Sequence, residues 1–234
     1  MTLSGKVCVI TGASSGIGRQ TAADLGAAGA VVCAAARREK ELAELIESLG
    51  GSAGGHSYVV CDVSDRAQVR RLADHVGSTY GRCDALINNA GFSTGDRPFD
   101  GDGDIEDLHS TMATNFFGTA YCTAAILPLL ESSAPSHIVN VASMAGRLAL
   151  AGSSAYCASK FAVVGWSESL HFDLAPKGIT VSLVEPGPIP TEGFPQTALL
   201  DSPLLRLAMG SKEDVSKAIR RAIETNKMQR VVPR

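Results

Sequence analysis

"VCVITGASSGIGRQ" (Val7–Gln20) admits two readings, and the choice between them decides the architecture. Gly12-Ala13-Ser14-Ser15-Gly16 fits G-x-S-x-G, the strained turn that raises a nucleophilic serine above a sheet. Read as Thr11-Gly12 followed by Gly16 and Gly18, the same letters make a glycine-rich turn between a strand and a helix. Such a turn cradles phosphate with free N–H groups. The first reading needs an acid and then a histidine downstream. Histidines stand at 56, 75, 109, 137 and 171, none in an obvious loop after a strand. His137 heads an apolar strand and His171 lies in a helical pattern. A nucleophile turn on the first strand is also out of place. The second reading has a flaw of its own: Thr21 occupies the third glycine position of G-x-G-x-x-G. The turn alone is therefore only moderately specific.

Outward from this stretch, short apolar runs alternate with helical patterns. The pattern predicts strands at 7–11, 31–36, 57–61, 85–88, 137–141 and 180–185. Helices are predicted at 16–28, 39–49, 65–80, about 105–130, about 154–174 and about 212–226, with a last short strand at 230–232. The strands are β-branched and continuous rather than alternating, as expected for strands covered on both faces. This is one domain over residues 1–234, an α/β fold with a doubly wound parallel sheet of Rossmann type and helices on both faces. In such a sheet, ligands bind beyond the carboxyl ends of the strands where strand order reverses. The first strand borders that crevice, so its turn is the place for a pyrophosphate. Gly12 permits the tight turn, Gly16 lets the backbone approach phosphate, and Gly18 lets helix and strand pack closely. Ser14 and Ser15 become hydroxyl donors beside Ile17 at the helix start.

Bulk composition excludes several classes. Hydrophobic residues make up 45% of the 234, charged residues 19%, and the net charge is −3 with scattered cations. That argues against a nucleic-acid surface. No apolar run is read as approaching the ~20 residues of a membrane span, and the N-terminus lacks a basic head followed by an apolar stretch. A cytoplasmic location is expected. Cys8, Cys33, Cys61, Cys83, Cys122 and Cys157 are widely spaced and read as small buried hydrophobes. The acidic run Asp100-x-Asp102-x-Asp104 lacks the later glycine and glutamate of a calcium loop, having Ile105 and Thr111 there. No metal site is expected.

Further residues support the cofactor reading. Asn88-Asn89-Ala90-Gly91 ends the fourth strand, Ser143 follows the fifth, and Pro186-Gly187 follows the sixth. Tyr156 and Lys160 stand four apart, on one helix face. In this order and spacing the chain, from about Lys6 to Asn226, resembles the short-chain dehydrogenase/reductase family. The resemblance implies hydride transfer between a nicotinamide cofactor and a carbonyl/secondary alcohol pair. Tyr156 would be the acid/base. Free tyrosine titrates near ~10, and the Lys160 ammonium one turn away favours the phenolate. Lys160 would also hold the nicotinamide ribose hydroxyls. Ser143 would orient the substrate oxygen. Asn115, a poor mid-helix residue, would bind a water linking Lys160 to solvent.

The cofactor contacts carry over in the same way. Asp62 and Val63 would sit at the adenine ring. Asn88, Asn89, Ala90 and Gly91 would border the adenine ribose and steady the sheet. Pro186, Gly187 and Ile189 would close over the nicotinamide, with Thr191 on its carboxamide or the pyrophosphate. An NAD site usually has an acidic residue at the end of the second strand. Here Ala36 stands there, followed by Arg37, which can grip a 2′-phosphate, and Arg38, which can stack or add charge. NADP(H) is the expected cofactor, although Ser15 replaces a second basic residue found in many NADP-binding relatives.

Substrate recognition lies outside these motifs. Met144–Gly152 and a substrate-covering segment at about 188–212 are expected to line the pocket. Leu148, Leu150 and Phe194 suggest an apolar wall, while Arg147 either meets an anion or is simply exposed. The small, apolar helices at 105–130 and 154–174 suggest a homodimer. The tail that packs subunits in most relatives lies beyond Arg234, which leaves a tetramer open. A non-catalytic dinucleotide sensor or scaffold would predict damaged Tyr or Lys positions, and both are intact. An epimerase or dehydratase of the extended relatives would need a larger substrate domain.

Overall fold

The computed structural model describes residues 2–95, 97–190 and 209–232, with backbone alone for Arg230. Thr191 and Phe194, and most of the expected substrate-covering segment, lie outside these residues. Strands β1 (Val7–Thr11), β2 (Val31–Ala36), β3 (Ser57–Val60), β4 (Ala85–Asn88), β5 (Ser136–Val141), β6 (Ile179–Pro186) and β7 (Gln229–Val232) form one sheet. Its order is β3-β2-β1-β4-β5-β6-β7, and every pairing is parallel. The order reverses between β1 and β4, so the turn after β1 lies at the crevice.

Helices cover both faces. On one side α1 (Gly16–Ala27), α2 (Glu39–Ser48) and α7 (Lys212–Thr225) bury Leu25, Leu42 and Ile219 against Cys8 and Ile10. On the other, α3 (Arg66–Tyr80) and α5 (Gly118–Ser132) bury Leu72 and Ile126 against Val9. Adjacent residues of β1 thus feed opposite cores, which is why its sequence is continuously apolar. All six cysteines are buried and free.

The long helix departs from regularity. α4 (Asp102–Met112) runs into a π-turn at Ala113–Phe117 and then into α5. Together, Asp102–Ser132 are 31 residues, long and apolar enough by composition to cross a membrane. This corrects the expectation that no run approaches a span. Along the helix, Asn115, Thr119 and Thr123 are buried and hydrogen-bonded to protein groups. Cys122, Ile126 and Leu130 pack on the sheet. These contacts are those of a helix serving a protein core.

The acidic run is a helix start. Asp104 is buried and paired with Arg97 at 2.5 Å, so its carboxylate is engaged. Among the described residues no cluster of His, Cys, Asp and Glu could hold a metal.

Candidate active site

A groove of about 410 Å³ opens at the carboxyl ends of β1 and β4. Gly12, Ser14, Ser15, Gly16 and Ile17 line it from the first turn. Gly12 and Gly16 have φ of 67° and 53°, a conformation that side chains disfavour. Gly18 does not line the groove but packs beneath it. A side chain there would stand 2.3 Å from the Gly12 carbonyl oxygen and 2.5 Å from Asn89 Nδ2. Ser15 precedes α1 without capping it by side chain, and the first turn holds no acid. The helix N–H groups and dipole are thus open to an anion.

Polar stitching fixes the floor. Asn89 Nδ2 donates to the Thr11 carbonyl at 3.0 Å, and the Asn89 and Ala90 amides donate to Thr11 Oγ1 at 3.0 and 3.1 Å. Asn89, Ala90 and Gly91 line the groove. Asn88 does not. It is buried, donating to Thr123 and Asn140, and so steadies the sheet.

At the far end of β2, Ala36, Arg37 and Arg38 line the groove with Asp62 and Val63. Arg38 Nε donates to Ser14 Oγ at 3.3 Å, joining β2's end to the glycine turn. Arg37 reaches only to within 4.0 Å of Asp62 and is 72% exposed in its side chain. These residues fit a dinucleotide: an uncapped helix start for pyrophosphate, and for the ribose beyond it a strand end with Ala36 in the usual acidic position and two arginines, Arg37 near Asp62 and Arg38 paired with Glu41 at 3.4 Å. Phe92, Thr114, Val141 and Ala142 also line the groove and carry no motif in the sequence.

Beside the groove, past Val141, Ala142 and Pro186, stands a second wall built from side chains that do not themselves line it. Tyr156 and Lys160 share a face of α6 (Ser154–Leu174), with Lys160 Nζ 5.7 Å from the Tyr156 ring centre. Lys160 is buried, donates to the Val141 carbonyl at 3.0 Å, and is pushed down to about 8 by that burial. Burial pushes the Tyr156 phenol up to about 12, against a hydrogen bond with Ser143 that favours the phenolate. Desolvation thus outweighs the Ser143 hydrogen bond, and Tyr156 is raised, not lowered as expected from the neighbouring ammonium. Ser143 Oγ also accepts from the Ala145 amide at 3.1 Å and donates to the Pro186 carbonyl at 3.4 Å. It caps a short turn and faces Tyr156 at once.

Asn115 lies at the centre of the π-turn, buried. Its amide donates to the Phe92 carbonyl and to Ser159 Oγ and accepts from the Phe92 amide, each at 2.9 Å. Ser159, next to Lys160, belongs to this wall and carries no motif in the sequence; a small polar residue on the buried face of α6 is its only signal. Gly91 makes the junction possible. A side chain there would come within 3.1 Å of Asn115 Oδ1 and 3.5 Å of Lys160 Nζ.

Other expectations fall outside the groove. Ile189 does not line the groove; its side chain is buried in the core with Val184 and Ile219. Gly187 is held by its amide to the Val232 carbonyl, and among the described residues of that segment Pro186 alone lines the groove. Arg147 is neither free nor an anion site: Nε donates to buried Glu185 at 2.7 Å and Nη2 pairs with Glu168. No described histidine bond reaches Ser14. His56, His75, His137 and His171 bond to Val32, Ser57, Ser182 and Val181.

Comparisons with known proteins agree with this geometry. A family model described as short chain dehydrogenase matches residues 6–198. D-threitol dehydrogenase of Mycolicibacterium smegmatis is 37% identical over 190 residues, 81% of this chain and 72% of that protein. The 3-oxoacyl-(acyl-carrier-protein) reductase FabG of Thermotoga maritima is 35% identical over 231 residues, 94% of this chain and 90% of that one. The crystal structure of a short-chain dehydrogenase/reductase from Burkholderia phymatum in complex with NAD superimposes with a TM-score of 0.85 at 31% identity, covering 99% of this chain and 90% of that one. With its parallel seven-stranded sheet and this site, the chain is an oxidoreductase of the short-chain dehydrogenase/reductase family.

Proposed function

We propose that this oxidoreductase is NADP(H)-dependent and interconverts a carbonyl compound and its secondary alcohol, with Tyr156 as the acid/base. The observation that carries the reading is the Ser143–Tyr156 hydrogen bond beside a buried ammonium, next to the groove residues Val141, Ala142 and Pro186. When bound, the reduced cofactor supplies a hydride for the carbonyl carbon, and the oxidised form takes one from the alcohol.

The chain's own residues manage position and proton. Ser143 orients the substrate oxygen. At neutral pH the Tyr156 phenol, pushed up to about 12, holds its proton and gives it to that oxygen during reduction. Lys160 lies close enough to favour the phenolate left behind. Titrating at about 8, it carries a proton at pH 7 and can return one to Tyr156. Asn115 holds Phe92 and Ser159 around Lys160; its link to solvent runs through a water, by resemblance to the family.

Gly12, Ser14, Ser15, Gly16, Ile17 and Gly18 would seat the pyrophosphate. Asp62 and Val63 would take the adenine, Asn89, Ala90 and Gly91 the adjoining ribose, and Pro186, Gly187 and Thr191 the nicotinamide end. The similar Burkholderia phymatum protein is in complex with NAD, which supports a nicotinamide dinucleotide. The 2′-phosphate preference rests on Ala36 with Arg37 and Arg38 on the groove. A charge-assisted hydrogen bond contributes about 1.5–3 kcal/mol, hence a preference for NADPH over NADH of roughly 10–150-fold. Steady-state kcat/KM for both cofactors, in wild type and in Ala36→Asp with Arg37→Ala, tests this. The double substitution should reverse the preference; a wild type that prefers NADH would overturn it.

The long helix Asp102–Ser132 and α6 are the proposed homodimer faces. Phe117, Phe161 and Phe172 are 44%, 46% and 70% exposed there, more apolar surface than a solvated helix needs. Sedimentation at micromolar protein should give a dimer, and a strict monomer would refute this interface. Six buried free thiols support a reducing, cytoplasmic setting.

A further inference from the structure

The structure assigns to this site an uncharged substrate: a ketone, or its secondary alcohol, flanked by apolar groups. Substrates bearing a carboxylate or phosphate beside the carbonyl are turned away. The inference rests on the carbonyl/alcohol reading above and narrows it.

Ser143 and Tyr156 mark where the substrate oxygen must lie, so the chain joining them walls the reacting position. That chain begins with the turn Met144–Gly146, capped by Ser143. Gly146 presses it onto α6, since a side chain there would stand 2.7 Å from the Lys160 carbonyl oxygen. The Leu150 amide donates to Cys157 Sγ at 3.4 Å, beside Tyr156. A second loop joins the first where the Arg97 amide donates to the Gly152 carbonyl at 2.9 Å. On these two loops Met144, Leu148, Leu150 and Phe99 are 37%, 57%, 51% and 59% exposed. They are four of the ten large apolar side chains left exposed among the described residues. Concentrated on two adjoining loops beside an acid/base pair, they suit an apolar ligand.

Charge gives the second half of the argument. The cations on these loops are Arg97 and Arg147. Arg97 is held by Asp104 at 2.5 Å and by Asp107 at 2.6 Å. Arg147 is held by Glu185 and Glu168. Lys160 is buried behind Tyr156 and committed to the proton. A substrate carboxylate would lose its water here and meet guanidinium groups already matched by acids, an unfavourable exchange.

Two matched series test this with NADPH as reductant: methyl ketones from 2-butanone to 2-octanone, and 2-oxo acids from 2-oxobutanoate to 2-oxooctanoate. Ketone kcat/KM should rise about fourfold per methylene until the wall is covered. Each 2-oxo acid should fall about 100-fold or more below its ketone, the discrimination expected when a buried polar group goes unpaired. Leu150→Arg, at an exposed position, places an unmatched cation on the wall. It should raise kcat/KM for the 2-oxo acids about tenfold and flatten the ketone series. Acids reduced as well as ketones, or a flat wild-type ketone series, would overturn the inference and leave the oxidoreductase reading standing. If NADPH binds and neither series is reduced, the carbonyl/alcohol reading falls and takes this inference with it.

Discussion

The groove and the wall of side chains beside it are made of different material. On the β1–α1 side the backbone does the work: positive φ at Gly12 and Gly16, bare N–H groups at the start of α1, and no room for a side chain at Gly18. On the α5–α6 side the work is done by side chains: Asn115, Ser159, Lys160, Tyr156 and Ser143, linked in part through hydrogen bonds and drawn from three segments. A backbone wall can bind a phosphate chain but has nothing that gives or takes a proton near neutral pH. A side-chain wall can move a proton, but burying it has a free-energy cost. The separation predicts that binding and chemistry can be damaged independently.

Lys160→Met strikes the side-chain wall hardest. Turnover should fall about 10²–10⁴-fold, the range for lost acid–base assistance. Stability should move the other way. Burial lowers Lys160 from an ordinary 10.5 to about 8, a cost of about 3 kcal/mol while the group is charged. The native state binds its proton less readily than the unfolded chain does. The cost is therefore full below pH 8 and relieved as pH rises from 8 towards 10.5. Urea unfolding at pH 7 and pH 9.5 checks both claims. The variant should be more stable than wild type at pH 7, by up to about 3 kcal/mol, and should lack the rise between the two pH values. A less stable variant would show that the bond to the Val141 carbonyl outweighs the buried charge.

A smaller effect is expected from Gly18→Ala on the backbone wall. The added carbon must displace Gly12 or Asn89, since it would lie 2.3 Å from one and 2.5 Å from the other. Overpacking of this kind costs about 1–3 kcal/mol, read as a lower Tm. NADPH affinity should weaken with it, because the displaced groups shape the cofactor side. Turnover of the fraction with cofactor bound should stay near wild type. An equal loss in kcat would show that the walls are not separate.

The sequence made the backbone wall easy to read. Glycine spacing after an apolar run reports backbone conformation directly, and Val7–Thr11, Val31–Ala36 and Ala85–Asn88 have the ends expected of them. The Tyr156/Lys160 pair was legible because four residues are one helical turn. The π-turn was not, because one extra residue in a hydrogen-bonded ring leaves the apolar pattern of a helix unchanged. Asn115 was its only sign. Arg147 could not be resolved either: its partners Glu168 and Glu185 lie 21 and 38 residues away and meet it only through the fold. The core packing of the Ile189 side chain was also not legible, since an apolar residue past a strand end gives no sign of which way it turns.

The central claim is that Tyr156 moves the proton while the groove beside it binds the cofactor. It is tested most directly by Tyr156→Phe, assayed with NADPH deuterated at the transferred position and a ketone that wild type reduces. Wild type should deliver deuterium to the carbinol carbon of the product. The variant should bind NADPH with an affinity within about twofold of wild type, since it loses one hydroxyl and little packing, yet form labelled alcohol about 10²–10⁴-fold more slowly. Near-normal labelled product from Tyr156→Phe, or alcohol from wild type without deuterium at that carbon, would contradict the account.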